Sequence, residues 1–322
     1  MINERSSGAI IYQIKNQSIE YLLLKKSDGR YDLPKGHLEE GEDDITAARR
    51  EIFEESGLKP EILKFFSKEV SYIFTEKGKN IKKTVRYFIG KIQDQNVRIS
   101  NEHIGYIWAN KEEFIKKIKY RDMIPILKDI VDFVERYEQI DKINKEYEKL
   151  PKKYKEWDLS KRHVKGHGPV NAKIMIIGQA PGRFEDEKLL PFIGRSGELL
   201  NKKIKILGVE REQIYITSCV QFFPPKNRIP NDEEVEICKP FLLQQIEVIK
   251  PKYIVLLGSL ANKVLLNIEK VSEKHGSVIE KDNIIYMITY HPAAALRFKR
   301  ISSIMDSDFE VFKKKLELDK IV

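Results

Sequence analysis

The sequence predicts an α/β protein built as two domains, and three observations carry that prediction. The chain has 322 residues, more than one hydrophobic core usually organises. Its first half mixes short apolar strands with one helix, Asp44 to Ser56, closed by Gly57. Its second half places continuous apolar runs such as Lys173-Ile174-Met175-Ile176-Ile177 directly before Gly/Pro turns, the pattern of buried parallel strands. The expected division is a first domain over 1–138, a charged helical linker over 139–163, and a second domain with a mostly parallel central sheet over 164–322.

Composition narrows the classes. Hydrophobic residues make up 41% and aromatics 10%, enough for packed cores and too much for a disordered chain. The net charge is +9, of which residues 1–150 carry +1 and residues 151–322 the remaining +8. A basic second half suits a polyanionic partner or simply solubility. Cys219 and Cys238 alone supply neither a disulfide framework nor a metal quartet, as in a reducing cytosol. The start, Met1-Ile2-Asn3-Glu4-Arg5, lacks the apolar core of a signal peptide. No apolar run approaches the ~18 residues of a membrane span, so a soluble, cytoplasmic protein is expected.

In the first half, Ala9-Ile10-Ile11-Tyr12 and Tyr21-Leu22-Leu23-Leu24 read as strands around a polar turn at Lys15-Asn16-Gln17-Ser18. Tyr31-Asp32-Leu33-Pro34-Lys35-Gly36 is a Pro/Gly-punctuated loop. After the helix, Val70–Phe74 and Thr84–Ile92 read as strands joined by the turn Lys77-Gly78-Lys79-Asn80. Ile107-Trp108 is a last strand before helices at Lys111–Lys119 and Met123–Tyr137.

Glu51, Glu54 and Glu55 stand at i, i+3 and i+4 on that first helix, hence on one face. Three neighbouring carboxylates repel, and a hard divalent cation, Mg²⁺ or Mn²⁺, explains their presence better than a solvated acidic face does. With Gly36, Glu42, Arg50, Ile52, Gly57 and Leu58 they form Gly-x5-Glu-x7-Arg-Glu-U-x-Glu-Glu-x-Gly-U, where U is aliphatic. This run resembles the Nudix box of pyrophosphohydrolases. The resemblance covers about 4–138 and implies an α/β/α sandwich. Leu33-Pro34-Lys35-Gly36-His37, Lys83 to Phe88, and Glu102-His103 followed by Tyr106 and Trp108 look most like its diadenosine tetraphosphate hydrolase branch. The implied reaction is attack of water at phosphorus on a nucleoside polyphosphate. Glu51, Glu54 and Glu55 are then metal ligands, with Glu54 and Glu55 catalytic, and Arg50 orients a carboxylate. Glu102 is a further ligand, a general base, or a surface acid. Lys35 and His37 meet phosphates, and Tyr87 stacks on a base or sits in the core.

Residues 138–163 are rich in Lys, Glu and Tyr and carry the basic run Lys152-Lys153-Tyr154-Lys155. They read as a solvated linker or an arm that tracks phosphates. Beyond them, Gly178-Gln179-Ala180-Pro181-Gly182 closes the first apolar strand, at the strand end where open α/β sheets bind ligands. Helices are expected at Glu198–Leu207 and Asp232–Ile249, and strands at Ile214–Ser218, Tyr253–Leu257 and Ile284–Thr289.

Four further runs recur in order: the Gly-Gln-Ala-Pro-Gly turn, Pro191-Phe192-Ile193-Gly194-Arg195-Ser196-Gly197, Pro224-Pro225-Lys226-Asn227-Arg228, and Tyr290-His291-Pro292-Ala293-Ala294. Together they resemble the uracil-DNA glycosylase superfamily, closest to its iron–sulfur class, from about Val164 to the end. The resemblance implies an α/β/α fold and a DNA partner. It makes Phe192 the residue that stacks on a flipped base, and His291 the one that stabilises the departing anionic base. Leu296, Arg297, Lys299 and Arg300, in a loop after His291, would enter the groove and hold phosphates.

Three features depart from that family. Only Cys238 falls on a cluster-ligand position, Phe222 stands where a cysteine is expected, and no cysteine lies in 139–168, so no iron–sulfur cluster is expected. Gln179, at the catalytic turn, replaces the usual glutamate; Glu185 or Asp186 substitutes for it or is simply exposed. Ser218 replaces the base-reading asparagine, and one hydroxyl cannot supply an amide's paired donor and acceptor. The expected protein is a bifunctional enzyme of nucleotide and DNA maintenance. The alternative is a Nudix hydrolase carrying a catalytically silent base- or nucleic-acid-binding module.

Overall fold

A computed structural model describes residues 2–76, 78–93, 96–154 and 156–321. Lys77 of the expected turn and Lys155 of the basic run lie outside the described residues. Contacts divide the chain into two units, Met1–Glu135 and Arg136–Val322, and each is described by itself.

Unit 1 contains β1 (Ile2–Lys15), β2 (Ser18–Lys26), β3 (Tyr31–Asp32), β4 (Lys35–His37), α1 (Asp44–Ser56), β5 (Glu61–Ile62), β6 (Lys68–Glu76), β7 (Lys79–Lys91), β8 (His103–Ala109), α2 (Lys111–Lys117) and the start of α3 (Ile124–Tyr147). The β1–β2 turn places Asn16 and Gln17 at φ 50° and 65°, the left-handed pair whose twist suits a two-residue hairpin. β1 also pairs with β7 in parallel and with β4 antiparallel, so one eight-stranded mixed sheet forms. Alternation along the strands feeds two layers. Ala9, Ile11, Leu22 and Leu24 pack on Ala48 and Ile52 of α1. From the neighbouring positions Tyr21 stacks on Phe114 of α2, ring centroids 4.6 Å apart. A helix on each face gives the α/β/α sandwich.

Unit 2 contains the remainder of α3, then α4 (Leu150–Lys153), β9 (Ile174–Gly178), α5 (Arg183–Lys188), α6 (Arg195–Ile206), β10 (Ile214–Ser218), α7 (Asp232–Ile249), β11 (Tyr253–Leu257), α8 (Gly258–Leu266), β12 (Val278–Lys281), β13 (Ile284–Thr289), α9 (Pro292–Arg297) and α10 (Lys299–Leu318). The sheet order is β10-β9-β11-β13-β12, parallel except for the edge strand β12. Ile174, Ile176, Val255 and Met287 meet Leu200 and Ile204 of α6 and Phe309 and Phe312 of α10. Met175, Ile177, Ile254 and Leu256 point the other way and are equally buried. Every strand of the run β10-β9-β11 is buried throughout, which is why these segments are apolar without alternation.

Two segments differ from expectation. Residues 139–163 hold Ile140, Asn144, Tyr147, Leu150, Leu159 and His163, all buried. The first four recur at three- and four-residue spacing, so the Lys/Glu-rich run presents one apolar stripe. Residues 296–300 are a helix break rather than a loop. Leu296 and Arg297 end α9, Phe298 is extended at φ −127°, and Lys299 opens α10.

Candidate active sites

In unit 1 the site begins at α1. Asp43 caps it by accepting from Thr46 N at 2.7 Å, and Gly57 ends it in the left-handed region at φ 69°. β4 runs beside the helix, and a Cβ on Gly36 would stand 2.0 Å from the Glu51 carboxylate. Only glycine leaves Glu51 that space. Arg50 holds the region together. Its Nε and Nη2 donate to Glu42 at 2.9 and 2.8 Å, its Nη1 to Glu51 at 2.8 Å and Glu54 at 3.3 Å, and its Nη2 to His37 O at 2.9 Å. The guanidinium holds Glu42 down to about 2, and Glu42 in turn raises Arg50. Glu42 was a fixed position of the motif to which sequence reasoning gave no role.

The three acids differ in setting. Glu54 is exposed, Glu51 nearly enclosed. Glu55 accepts from Lys35 N at 3.3 Å, and burial pushes its carboxyl up to about 8, against the pull of Lys35. Among the described residues no three acidic, His or Cys side chains are gathered tightly enough to grip an ion as they stand. The donor set nevertheless suits Mg²⁺ or Mn²⁺. It is all carboxylate, it is cradled where Gly36 lacks a side chain, and it includes one buried carboxyl whose ionisation a neighbouring cation would favour.

Lys35 bonds Asp32 at 2.6 Å and, with Lys26, Lys83, Tyr72, Tyr87 and Tyr120, lines a cleft of about 420 Å³. Tyr87 is buried yet reaches this cleft, while Tyr72 and Tyr120 are the exposed aromatics beside it. Sequence reasoning missed both, because neither belongs to the motif. His37 is exposed, its Nε2 3.1 Å from Glu4 and 3.4 Å from Lys83 Nζ. Glu102 is exposed, on a segment whose Ser100 N bonds Glu55 O at 3.2 Å.

In unit 2 the candidate residues stand at or after the carboxyl ends of β9, β10 and β13, the end at which open parallel sheets bind ligands. Gly178 ends β9 beside Ser218 of β10. A Cβ on Gly178 would stand 2.4 Å from Phe192 Cζ and 3.5 Å from Ser218 Oγ. Phe192 therefore packs its ring against the strand end, with its backbone at φ 51°. Its ring centroid is 5.7 Å from that of His291. His291 caps α9 by accepting from Ala293 N at its Nδ1, 3.2 Å, which puts the imidazole proton on Nε2. That Nε2 is buried without a partner among the described residues, and burial lowers the imidazole to about 4. A neutral N–H donor without a partner thus belongs to the imidazole that neighbours the Phe192 ring.

Gln179, next in the chain to Gly178, is half-buried and supplies an amide, not a carboxylate. Glu185 and Asp186 are buried, not exposed. Glu185 accepts from Gly182 N at 3.1 Å and Gly194 N at 3.0 Å, and Asp186 from Ser160 Oγ at 2.6 Å and from Arg162. Leu296, Arg297, Lys299 and Arg300 are all exposed, with Phe298 between them 61% exposed.

The surroundings of Cys238 do not suit an iron–sulfur cluster. Phe222 meets Tyr147, Trp157 and His163 with centroids 5.3, 5.0 and 5.4 Å apart. Gln221 beside it bonds His163 at 2.7 Å, Thr217 at 2.9 Å and Gln245 at 2.8 Å. Aromatic rings and paired amides fill the volume, and burial pushes the Cys238 thiol up to about 12, away from the thiolate a metal needs.

Comparison with known proteins finds a match for each unit. Residues 3–130 match the NUDIX domain and residues 165–317 the uracil DNA glycosylase superfamily. The chain is 40% identical over 171 residues to the type-4 uracil-DNA glycosylase of Sulfurisphaera tokodaii, covering 49% of this chain and 77% of that one. It is 36% identical over 138 residues to the asymmetrical bis(5'-nucleosyl)-tetraphosphatase of Sus scrofa, covering 39% of this chain and 91% of that one. A solved C. elegans Ap4A hydrolase binary complex is similar at 31% identity and TM-score 0.38, over 41% of this chain and 98% of that one. The chain belongs to two families at once, the Nudix family through its first unit and the uracil-DNA glycosylase superfamily through its second.

Proposed function

We propose that the protein is a bifunctional enzyme of nucleotide and DNA maintenance. Its first unit hydrolyses a nucleoside polyphosphate with Mg²⁺ or Mn²⁺, and its second excises a deaminated base from DNA. The observation that carries the first activity is the Glu51–Gly36 cradle beside a cleft of tyrosines and lysines. Glu51, Glu54 and Glu55 would hold the metal, which when bound neutralises phosphate oxygens and activates water. Arg50 orients Glu51, Lys35 and His37 attract phosphates, and Tyr87 with Tyr72 offers a face to a base. Glu102 would add a ligand from the neighbouring segment.

The second activity rests on the unpartnered His291 Nε2–H on a ring that neighbours Phe192. A flipped base stacks on Phe192 and reaches Ser218. The glycosidic C–N bond breaks with its electron pair going to the base, whose oxygen accepts from His291. Water then adds to the sugar carbon, with Gln179 able to orient it by hydrogen bonding, and the proton it loses neutralises the departed base anion. Leu296, Arg297, Lys299 and Arg300 would hold the DNA. Cytoplasmic location is in keeping with both substrates.

A panel assay tests the proposal: dinucleoside polyphosphates and damaged nucleotides with Mg²⁺ or Mn²⁺, and uracil-, hypoxanthine- and xanthine-containing oligonucleotides. Phosphate-bond cleavage without release of any base would instead support a silent binding module. Gln179 and Ser218 favour that second reading, because neither brings the functional group its family uses.

A further inference from the structure

Phe192 is a non-glycine residue held at φ 51°, a left-handed conformation that a bulky side chain adopts only when its surroundings impose it. The surroundings are specific. Its ring lies on Gly178, and a Cβ on Gly197 would stand 1.8 Å from its carbonyl oxygen. The residue before it, Pro191, accepts at its carbonyl from Arg211 Nη2 at 2.7 Å, while Arg211 Nη1 is fixed by Asn201 Oδ1 at 2.7 Å. Two residues after it, Gly194 N donates to Glu185 Oε1 at 3.0 Å, and the other Glu185 oxygen takes Gly182 N of the catalytic turn at 3.1 Å. Both partners of Glu185 are glycines. A Cβ on Gly182 would come within 2.7 Å of that carboxylate and one on Gly194 within 3.1 Å.

The geometry points to Glu185 and Arg211 as a two-point clamp, positioning residues that hold Phe192 in its left-handed conformation and tie it to the 178–182 turn, so that a flipped base meets a preset stacking face. This inference rests on the glycosylase reading of the unit. Glu185 acts through Phe192 and Gly182 rather than on the substrate. Glu185→Gln removes one acceptor, since the amide nitrogen faces a backbone N–H. Arg211→Lys keeps the charge and loses the fork that spans Pro191 O and Asn201.

The test uses the full chain and a single-uracil oligonucleotide. Single-turnover base release, DNA affinity and thermal midpoint are compared for wild type, Glu185→Gln, Arg211→Lys, Phe192→Ala and the Glu185→Gln/Phe192→Ala pair. Glu185→Gln is expected to slow base release roughly 10- to 100-fold with DNA affinity nearly unchanged. It should have little further effect once Phe192 is alanine. Equal losses in both backgrounds overturn the clamp. Should Glu185→Gln not fold, Arg211→Lys, made also in the Phe192→Ala background, carries the same cycle. A wild-type protein that releases no base overturns the glycosylase reading instead. The clamp is then decided by the crystal structure of the variant, where Phe192 should leave positive φ and Gly178. Retention of both refutes the clamp whatever the activity.

Discussion

The Glu51 carboxylate occupies the space in which a side chain on Gly36 would begin, 2.0 Å from the Cβ position. A strand and the helix that follows it thus share one position, and one methyl group displaces the carboxylate. Gly36→Ala is expected to cut polyphosphate hydrolysis roughly 10- to 100-fold and to cost about 1–3 kcal/mol of overpacking. Base release should be untouched. Steady-state kinetics of both reactions, with a denaturant titration, check it.

Arg50 spends its fork on Glu42 and only one nitrogen on Glu51. Glu42→Gln should therefore resemble Arg50→Lys, each lowering hydrolysis about 10-fold or more with the fold intact. Metal titration at fixed substrate should show weakened affinity for Mg²⁺ in both. Unchanged kinetics in Glu42→Gln would remove it from the site.

His163 is enclosed beside Phe222, and burial lowers it from 6.5 to about 4. Between those values the unfolded chain binds the proton and the folded one does not, so stability is complete above about pH 6.5 and falls as pH drops towards 4. The expected loss from pH 7 to 5 is roughly 2 kcal/mol for this histidine. Urea titrations at both pH values check it, and His163→Gln should remove this share while the like share of buried His291 stays.

Phe222 is fully buried among Tyr147, Trp157 and His163. Phe222→Ala should cost about 3–5 kcal/mol. A strong chelator should leave the thermal midpoint of the second unit and base release unchanged, while polyphosphate hydrolysis stops until Mg²⁺ or Mn²⁺ is returned. Loss of base release on chelation would contradict the aromatic replacement of the cluster.

The exposed run Arg297, Lys299 and Arg300 flanks Phe298 at a helix break. Each Ala substitution is expected to lower DNA affinity similarly on all sequences and to reduce the salt slope by about 1. Titrations at two ionic strengths check it.

Much of this was legible because it was local. Ile174–Gly178 declares a buried parallel strand by five apolar or small residues, and the α1 acids declare a shared face by spacing alone. What stayed hidden depended on tertiary partners. Tyr147 reads as linker until Phe241 stacks on it at 4.5 Å. Glu185 reads as a surface acid until Gly182 and Gly194 turn their N–H groups towards it. In α10, Met305, Phe309, Phe312 and Leu316 form a core stripe, but the preceding run of basic residues read as a loop on DNA. Tyr72 and Tyr120 reach the cleft only because β6 and the segment after α2 converge there.

One product assay tests the claim of two independent sites most directly. The full chain, Glu54→Gln and His291→Gln are each incubated with diadenosine tetraphosphate, Mg²⁺ and a uracil-containing oligonucleotide, and all products are identified by mass spectrometry. Two independent sites require mononucleotides and free base from the wild type, free base alone from Glu54→Gln, and mononucleotides alone from His291→Gln. Absence of any free base from the wild type, with hypoxanthine- and xanthine-containing oligonucleotides run alongside, or loss of both products in either variant, would contradict them.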